Sequence, residues 1–534
     1  MTLDEKAASL ARDETSREEI AALLRSHAEL TDRVTELQQK VTWFQRQFFG
    51  EKSERRIDLS HATQLALGEP FAVGATPPAP EITIPSHTRS RAKKPWEGTP
   101  SDSGLRFDPA VVPVQEIKVS NPDTKIYPPG SYDVIDQRVT YRLAQRPGSY
   151  VVLKYVRDVL KLKTTEKFSC PAAPVAVIEK SYADVSLLAG FLIDKFMYHL
   201  PLYRLHQRLL DCGIQLARGT LTNLVHQSGA LLRPIYDAQM RSILEGSVLS
   251  IDETPIRAGR KPDKKGLQSA YFWPLYGDRD EIAFHFAASR SQAVVEKLLK
   301  DFRGTYVSDG YLVYDLYEKT TDQARRAQCW SHARREFLGA EKTEPELTRK
   351  ALDFIRDIYA HEAAIRDLAL DGEKKLMYRT ERVKPLVDAF FTWLENTLRE
   401  NILLPSNPFT KAAAYVLKRR DAMYVFLENP AVPIDTNHLE REIRPIAIGR
   451  KNWMFCWTEV GAEYVGIAQS LLRTCRLQGV DPYNYLVDVL QRVATHPASQ
   501  VHLLTPRLWR EHFAASPLRS DIDRTATATP IATS

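Results

Sequence analysis

The sequence predicts a multidomain α/β protein, and three observations carry that expectation. The chain has 534 residues, well past the ~250–300 at which single hydrophobic cores stop growing. An opening heptad repeat gives way to Pro-rich sequence and then to strand-like alternation and helical periodicity. From Ser247 the texture changes again, to short apolar strands interrupted by one helix and followed by a long helical stretch.

Taken in order, residues 1–57 read as a coiled coil. Ile20, His27, Val34, Val41 and Phe48 recur every seven residues, with Leu23, Leu30, Leu37 and Phe44 three positions later. Such an a/d seam pairs helices; one amphipathic helix packed on its own domain is the alternative. Residues 58–104 are rich in Pro, Ala, Thr and Ser, with a basic knot at Arg89, Arg91, Lys93 and Lys94. They read as a disordered linker. Residues 105–180 form a small β-rich module, the alternation being clearest over 151–163. Helical periodicity fills 181–240, where 206–212, Gly213 and a segment opened by Thr220 have the cadence of a helix-turn-helix DNA reader. A mixed unit over 241–475 has strands at 248–251, 271–276, 282–286 and 304–307, a helix at 291–300 and helices over 331–400. A helical segment at 476–516 precedes a tail, 517–534, expected to be disordered.

Composition narrows the function. A net charge of +6 fits a polyanionic partner without proving one. The five cysteines are scattered and form no CxxC pair, which suits free thiols in a reducing compartment and disfavours structural zinc. The longest apolar run, 185–193, is cut by Asp194 and Lys195 and falls short of the ~20 residues that span a bilayer. The acidic first residues lack the features of a signal peptide. A cytoplasmic protein with no membrane partner is expected.

The chemistry sits in acidic residues. Asp252 follows one apolar strand and Asp309 another, which puts two carboxylates at one sheet edge. Buried carboxylates are costly unless paired with cations, and magnesium held by few carboxylates is the two-metal device for phosphoryl transfer. Glu440 lies on a segment, IDTNHLEREIR, that reads as a helix, with Asn437 on the same face; Glu442 is a rival that composition cannot dismiss. Arg441, Arg444, Arg450 and Lys451 follow, in a position to hold phosphates. Cys329 and His332 form a C-x-x-H pair, which a core Cys beside a surface His would also explain.

Seven stretches in order resemble the insertion-sequence-66 family of bacterial DDE transposases: FGEKSER (49–55), HLPLYRLHQRL (199–209), IDETP (251–255), SDGY (308–311), CWSHARREF (329–337), NHLEREIRPIAIGRKNW (437–453), and DPYNYLVDVL (481–490) with THPAS (495–499). The resemblance implies a ribonuclease-H-like catalytic core over 241–475 with an all-helical insertion at about 331–430. It points to Asp252, Asp309 and Glu440 as catalytic metal ligands, in preference to Glu253 and Glu442, and places His332 beside the scissile phosphate. Arg334, Arg335 and Asn437, in the same motifs, join the expected DNA contacts. The implied activity is cleavage of element ends and transfer of the 3′-hydroxyl into target DNA, with Mg2+ as cofactor and Mn2+ substituting. Partners would be double-stranded DNA (terminal inverted repeats and target), a second copy of the chain through the heptads, and accessory proteins of the same element. A catalytically silent DNA-binding regulator and a nuclease that cuts without joining are the alternatives. The sequence departs from the family twice. Only Cys170 stands where relatives carry a cysteine-rich module, so no zinc is expected and the β-rich segment reads as its degenerate counterpart. Residues 456–458 (CWT) replace a turn of small residues.

Overall fold

The computed structural model describes residues 105–526, apart from 108–111, 128–129, 147, 164–165, 261–265, 401–402 and 454. The coiled coil expected over 1–57 and the linker over 58–104 lie outside the described residues. No described helix is long and apolar enough to cross a membrane.

After a two-residue strand β1 (Arg106–Phe107), strands β2 (Val114–Val119), β3 (Tyr132–Arg146), β4 (Ser149–Leu162) and β5 (Phe168–Ser169) form one sheet in the order β2-β4-β3, with β5 pairing β4. The alternation noted at 151–163 is β4, central in this sheet. Helix α1 (Val185–Phe196) follows, capped by Asp184, whose carboxylate accepts the Ser186 amide at 2.9 Å. Helix α2 (Leu202–Asp211), β6 (Ile214–Gln215) and α3 (Arg218–Leu244) come next. Here the expected helix-turn-helix differs in detail. The connection includes β6, which pairs with β1, so it is longer than the 3–4 residues of the usual motif. Gly213, at φ +77°, supplies the left-handed turn. Leu221, Leu224, Leu232 and Ile235 of α3 are buried in the main core, so burial claims one whole face of the second helix.

The central sheet is built from β7 (Val248–Ile251), β8 (Thr254–Arg260), β9 (Leu267–Gly277), β10 (Glu281–Ala287), then helix α4 (Gln292–Leu298), β11 (Gly304–Ser308), α5 (Leu312–Glu318) and β12 (Ala324–Gln328). Its order is β10-β9-β7-β11-β12, with β8 paired to β9. Strands β10, β9 and β7 are antiparallel, while β7, β11 and β12 run parallel. All four residues of β7 are buried, which is why it reads as an unbroken apolar run. β8 went unread in the sequence because its Arg257 and Arg260 mask the alternation.

Helix α6 (Trp330–Leu338) opens the helical region, followed by α7 (Pro345–Asp367), α8 (Gly372–Tyr378), a π-helical turn (Arg379–Val383), α9 (Lys384–Glu400), α10 (Pro408–Leu417) and α11 (Arg420–Glu428). This region has its own core. Trp330, fully buried, packs edge-on or tilted against Phe390, Phe391 and Phe426 and donates its indole N–H to the Met423 carbonyl at 3.1 Å. At the π-helical turn, buried Arg379 pairs with Glu362 at 2.8 Å and donates to the carbonyls of Phe426 and Val432.

Helix α12 (Asn437–Trp453) returns to the sheet, and α13 (Glu459–Leu477) packs across it. Gly466 lets α13 approach: a Cβ there would collide with the Phe284 carbonyl of β10. Helices α14 (Pro482–Arg492), α15 (Pro506–His512) and α16 (Asp521–Ala526) complete the described chain. The last falls within 517–534, the stretch expected to be disordered, where residues 521–526 are helical. Ile522 of α16 is buried among Ala144, Val151, Leu153 and Tyr155, and Tyr155 donates its hydroxyl to Asp521 at 2.6 Å. A sparse polar segment gains order because the β-sheet offers it an apolar seat, a long-range contact that local composition cannot register.

Candidate active site

Parallel pairing of β7 with β11 fixes the first two acids. Ser250 is in register with Val307, so two residues further on Asp252 comes level with Asp309 on a neighbouring strand, ~4.8 Å away across the ladder. The Asp252 carboxylate accepts its neighbour's amide, from Glu253, at 2.7 Å. The Asp309 carboxylate accepts the Tyr311 amide at 2.9 Å. Burial, together with the charges of Glu253 and Asp309, pushes Asp252 up to about 7. A like charge close by raises the cost of ionising Asp252.

The backbone at Asp309 is held from below and from the side. Arg326, 1% exposed, donates to the Asp309 carbonyl at 2.7 Å and to the Ser308 hydroxyl at 3.2 Å, and pairs with Asp315. Lys418 and Arg419 bind the other oxygen of Asp315 at 2.7 and 3.0 Å. Gly310 has a steric reason: a Cβ there would strike the Tyr415 ring of α10.

Glu440 arrives on the first turn of α12. Asp435 caps that helix by accepting the Asn437 amide at 3.0 Å. Thr436 donates its amide and hydroxyl to the Cys329 sulfur, each at 3.3 Å. His438 docks the helix on the sheet, at 3.1 Å from the Ser250 hydroxyl and edge-on to Tyr276. Glu440 then faces Arg335 at 3.3 Å and His332 at 3.7 Å. Its rival Glu442 is 8% exposed and receives Arg473 at 2.6 Å. Glu253, the other rival, receives Arg290 at 2.9 Å and the Tyr314 hydroxyl at 3.0 Å.

Asp252, Asp309, Glu440, His332, Arg335 and Arg444 all line one open cleft of about 390 Å3, together with Glu253 and Arg290. Burial would lower the His332 pKa, but Cys329 and the Asp309 charge outweigh it and raise it to about 9. Cys329 itself is fully buried, so the C-x-x-H pair divides into a packing Cys and a His that lines the cleft. Arg334 and Asn437 line an adjoining cavity, and Arg441 with Arg444 a smaller hollow beside His199. Arg450 donates to the Pro255 carbonyl, and Lys451 is exposed further along α12; neither lines the cleft. Sequence reading missed Arg290. The need of a buried Glu253 for a cation was a signal that one would come, though not from where.

Among the described residues no three His, Cys, Asp or Glu side chains close around a point as a finished metal cage. The donor chemistry nonetheless suits a hard divalent ion: two neighbouring carboxylates, one of them pushed up by burial and by the acids beside it, and a third carboxylate in the same cleft. As they stand, Glu440 is turned to Arg335 and His332.

Comparison with known proteins gives the family. The family profile described as "Transposase IS66 family" matches residues 180–464, and that of the "IS66 C-terminal element" matches residues 470–506. The chain is 28% identical over 518 residues to the uncharacterized protein y4hP of Sinorhizobium fredii, covering 90% of each chain. To y4qI of the same organism it is 26% identical over 523 residues, covering 94% of each. Among solved structures it matches the Drosophila P element transposase strand transfer complex at 11% identity and a TM-score of 0.31, over 56% of this chain and 92% of that one. That likeness is too slight to argue from.

Proposed function

The chain belongs to the IS66 family of transposases, and from that premise we propose that it cleaves the ends of its element and joins the freed 3′-hydroxyl to target DNA. The observation that carries the reading is the meeting of Asp252 and Asp309, at the ends of adjacent parallel strands, with Glu440 in one cleft. A ribonuclease-H-like core is supported by the mixed sheet whose parallel central strands end in these two acids.

Asp252, Asp309 and Glu440 would hold the magnesium ions, manganese substituting. Bound there, such ions lower the pKa of the attacking water or 3′-hydroxyl and stabilise the leaving oxygen. The protein's own part is positional. Arg326 fixes the Asp309 turn, and His438 fixes the entry of α12. Arg335 and His332 hold Glu440 until a phosphate in the cleft competes for both cations, which frees the carboxylate to turn toward the aspartates. His332, protonated near neutral pH, then donates to a non-bridging phosphate oxygen. Arg335 and Arg444 neutralise the backbone on either side, and Arg441, Arg450 and Lys451 extend the cationic track along α12. The region 181–240 supplies part of the recognition of the terminal repeats. The heptads of 1–57 join two copies, with accessory proteins of the element as further partners.

The test is cleavage and joining of labelled element ends, with magnesium or manganese against EDTA, by wild type and Asp309→Asn. Loss of products by ~10³-fold or more in the variant, with DNA binding kept, is expected. Cleavage retained in Asp309→Asn would refute the ligand assignment. Binding without cleavage by the wild type would favour the silent regulator.

A further inference from the structure

Beside the catalytic cleft lies a cavity of about 570 Å3, between α6, α7 and the first turn of α12. Arg335 lines both spaces, so a ligand in the cavity lies one side chain away from anything bound over Asp252 and Asp309. We propose that this cavity takes a single unpaired nucleotide of the DNA strand held in the cleft, adjoining the reacting phosphate. The inference rests on the function proposed above, since it is the cleaved DNA that would supply the nucleotide.

Its lining divides by chemistry into what a nucleotide presents. One wall is apolar, made by Leu338, Leu352 and buried Ile355, a surface for a base and a poor one for phosphate or water. Tyr359 and Asn437 stand beside it, both tethered to one carboxylate. The Tyr359 hydroxyl donates to Asp435 at 2.8 Å and the Asn437 amide at 2.6 Å. A shared tether fixes an aromatic ring and an amide in place before any ligand arrives, the pairing that reads an extruded base by stacking and edge contacts.

Charge supplies the rest. Of the three arginines lining the cavity, Arg356 is already neutralised, by Asp353 at 2.6 Å and Asp357 at 3.0 Å. Arg335 is shared with Glu440. Arg334 is exposed and, among the described residues, makes no ion pair. Its guanidinium is therefore free for a phosphate, and Ser331 and Asn437, in the first turns of α6 and α12, bring two helix N-termini to the same space. The volume lies within the ~300–1,000 Å3 typical of small-ligand sites. A duplex is too wide to enter, so the nucleotide must leave its stack.

The experiment uses the full-length protein and duplexes carrying the element's ends, with 2-aminopurine placed singly at each position within three nucleotides of the scissile phosphate. Fluorescence is read on binding in EDTA, and cleavage of the same duplexes is read in magnesium. At one position alone, on one side of the scissile phosphate, a change of ~3-fold or more is expected as the base unstacks. The change should be lost in Leu352→Trp, which fills the apolar wall, and in Arg334→Ala, an exposed site whose truncation leaves the fold intact. Cleavage without any position-specific signal would overturn the inference and leave the proposed function standing. A signal that survives both variants would also overturn it, because the base would then sit elsewhere. If the wild type neither binds nor cleaves the duplexes, the proposed function falls and the inference falls with it.

Discussion

Replacement of Arg326 by Met separates the support of Asp309 from its chemistry. Arg326 is 1% exposed and serves five partners: the Asp309 carbonyl at 2.7 Å, Gln328 at 3.1 Å, the Ser308 hydroxyl at 3.2 Å, the Asp315 carboxylate, and Glu318 at 3.5 Å. Three buried hydrogen bonds at about 1 kcal/mol each give roughly 3 kcal/mol. Breaking a buried ion pair costs about 3–5 kcal/mol when the partner is left bare. Here Asp315 keeps Lys418 and Arg419, and methionine fills the space of the arginine stem. A local loss of about 3 kcal/mol is therefore expected, near the lower end. Hydrogen exchange of the β11 and β12 amides measures it directly, because local opening reports its own free energy. Strand cleavage should slow by ~10- to 100-fold at unchanged DNA affinity, since a loosened turn misplaces the carboxylate without touching phosphate. A stability change below about 1 kcal/mol with undiminished cleavage would show that Arg326 does not position Asp309.

Other outcomes follow from the same geometry. Glu440→Gln should abolish cleavage with little change in stability. Glu442→Gln should keep most activity and cost about 1–3 kcal/mol, because it weakens a buried partner of Arg473; activity assays alongside urea denaturation decide between them, and the reverse pattern would exchange their roles. Arg379→Met should destabilise the helical region by about 3–5 kcal/mol, since it strands Glu362 in a buried site. That loss should appear as raised hydrogen exchange in α7, α9 and α11 before the central sheet is affected. His285 is held neutral, its pKa lowered to about 4 by burial with the charges of Lys297 and Arg233. Its folded pKa lies below the ordinary value, so its contribution is full above about pH 6.5 and is lost as pH falls toward 4, by on the order of 2–3 kcal/mol. Denaturation of His285→Gln across that window should show a flatter acid limb than wild type, and parallel curves would refute the assignment.

How much was legible in the sequence follows from the range of the interactions involved. The strands at 248–251, 282–286 and 304–307 announced themselves because buried strands are short apolar runs, and an acid close after two of them was a local signal. So was the periodicity behind α12, on which Glu440 rides. Motifs in order along the chain carried the family. Tertiary structure alone showed which acids already have a cation for a partner. Glu253 and Glu442 have the residue type and spacing of ligands, yet Arg290 and Arg473 claim them from 37 and 31 residues away. Helix α16 was equally hidden, since it exists by virtue of an apolar seat on a sheet more than 350 residues earlier. The cavity beside the cleft joins α6 and α7 to α12, which follows them in sequence only after α8 to α11. Residue type and local pattern fix what a side chain is able to do, because propensity and alternation are short-range. Which partner satisfies it, and so whether it stays free for chemistry, is decided by contacts that form only when the chain closes on itself.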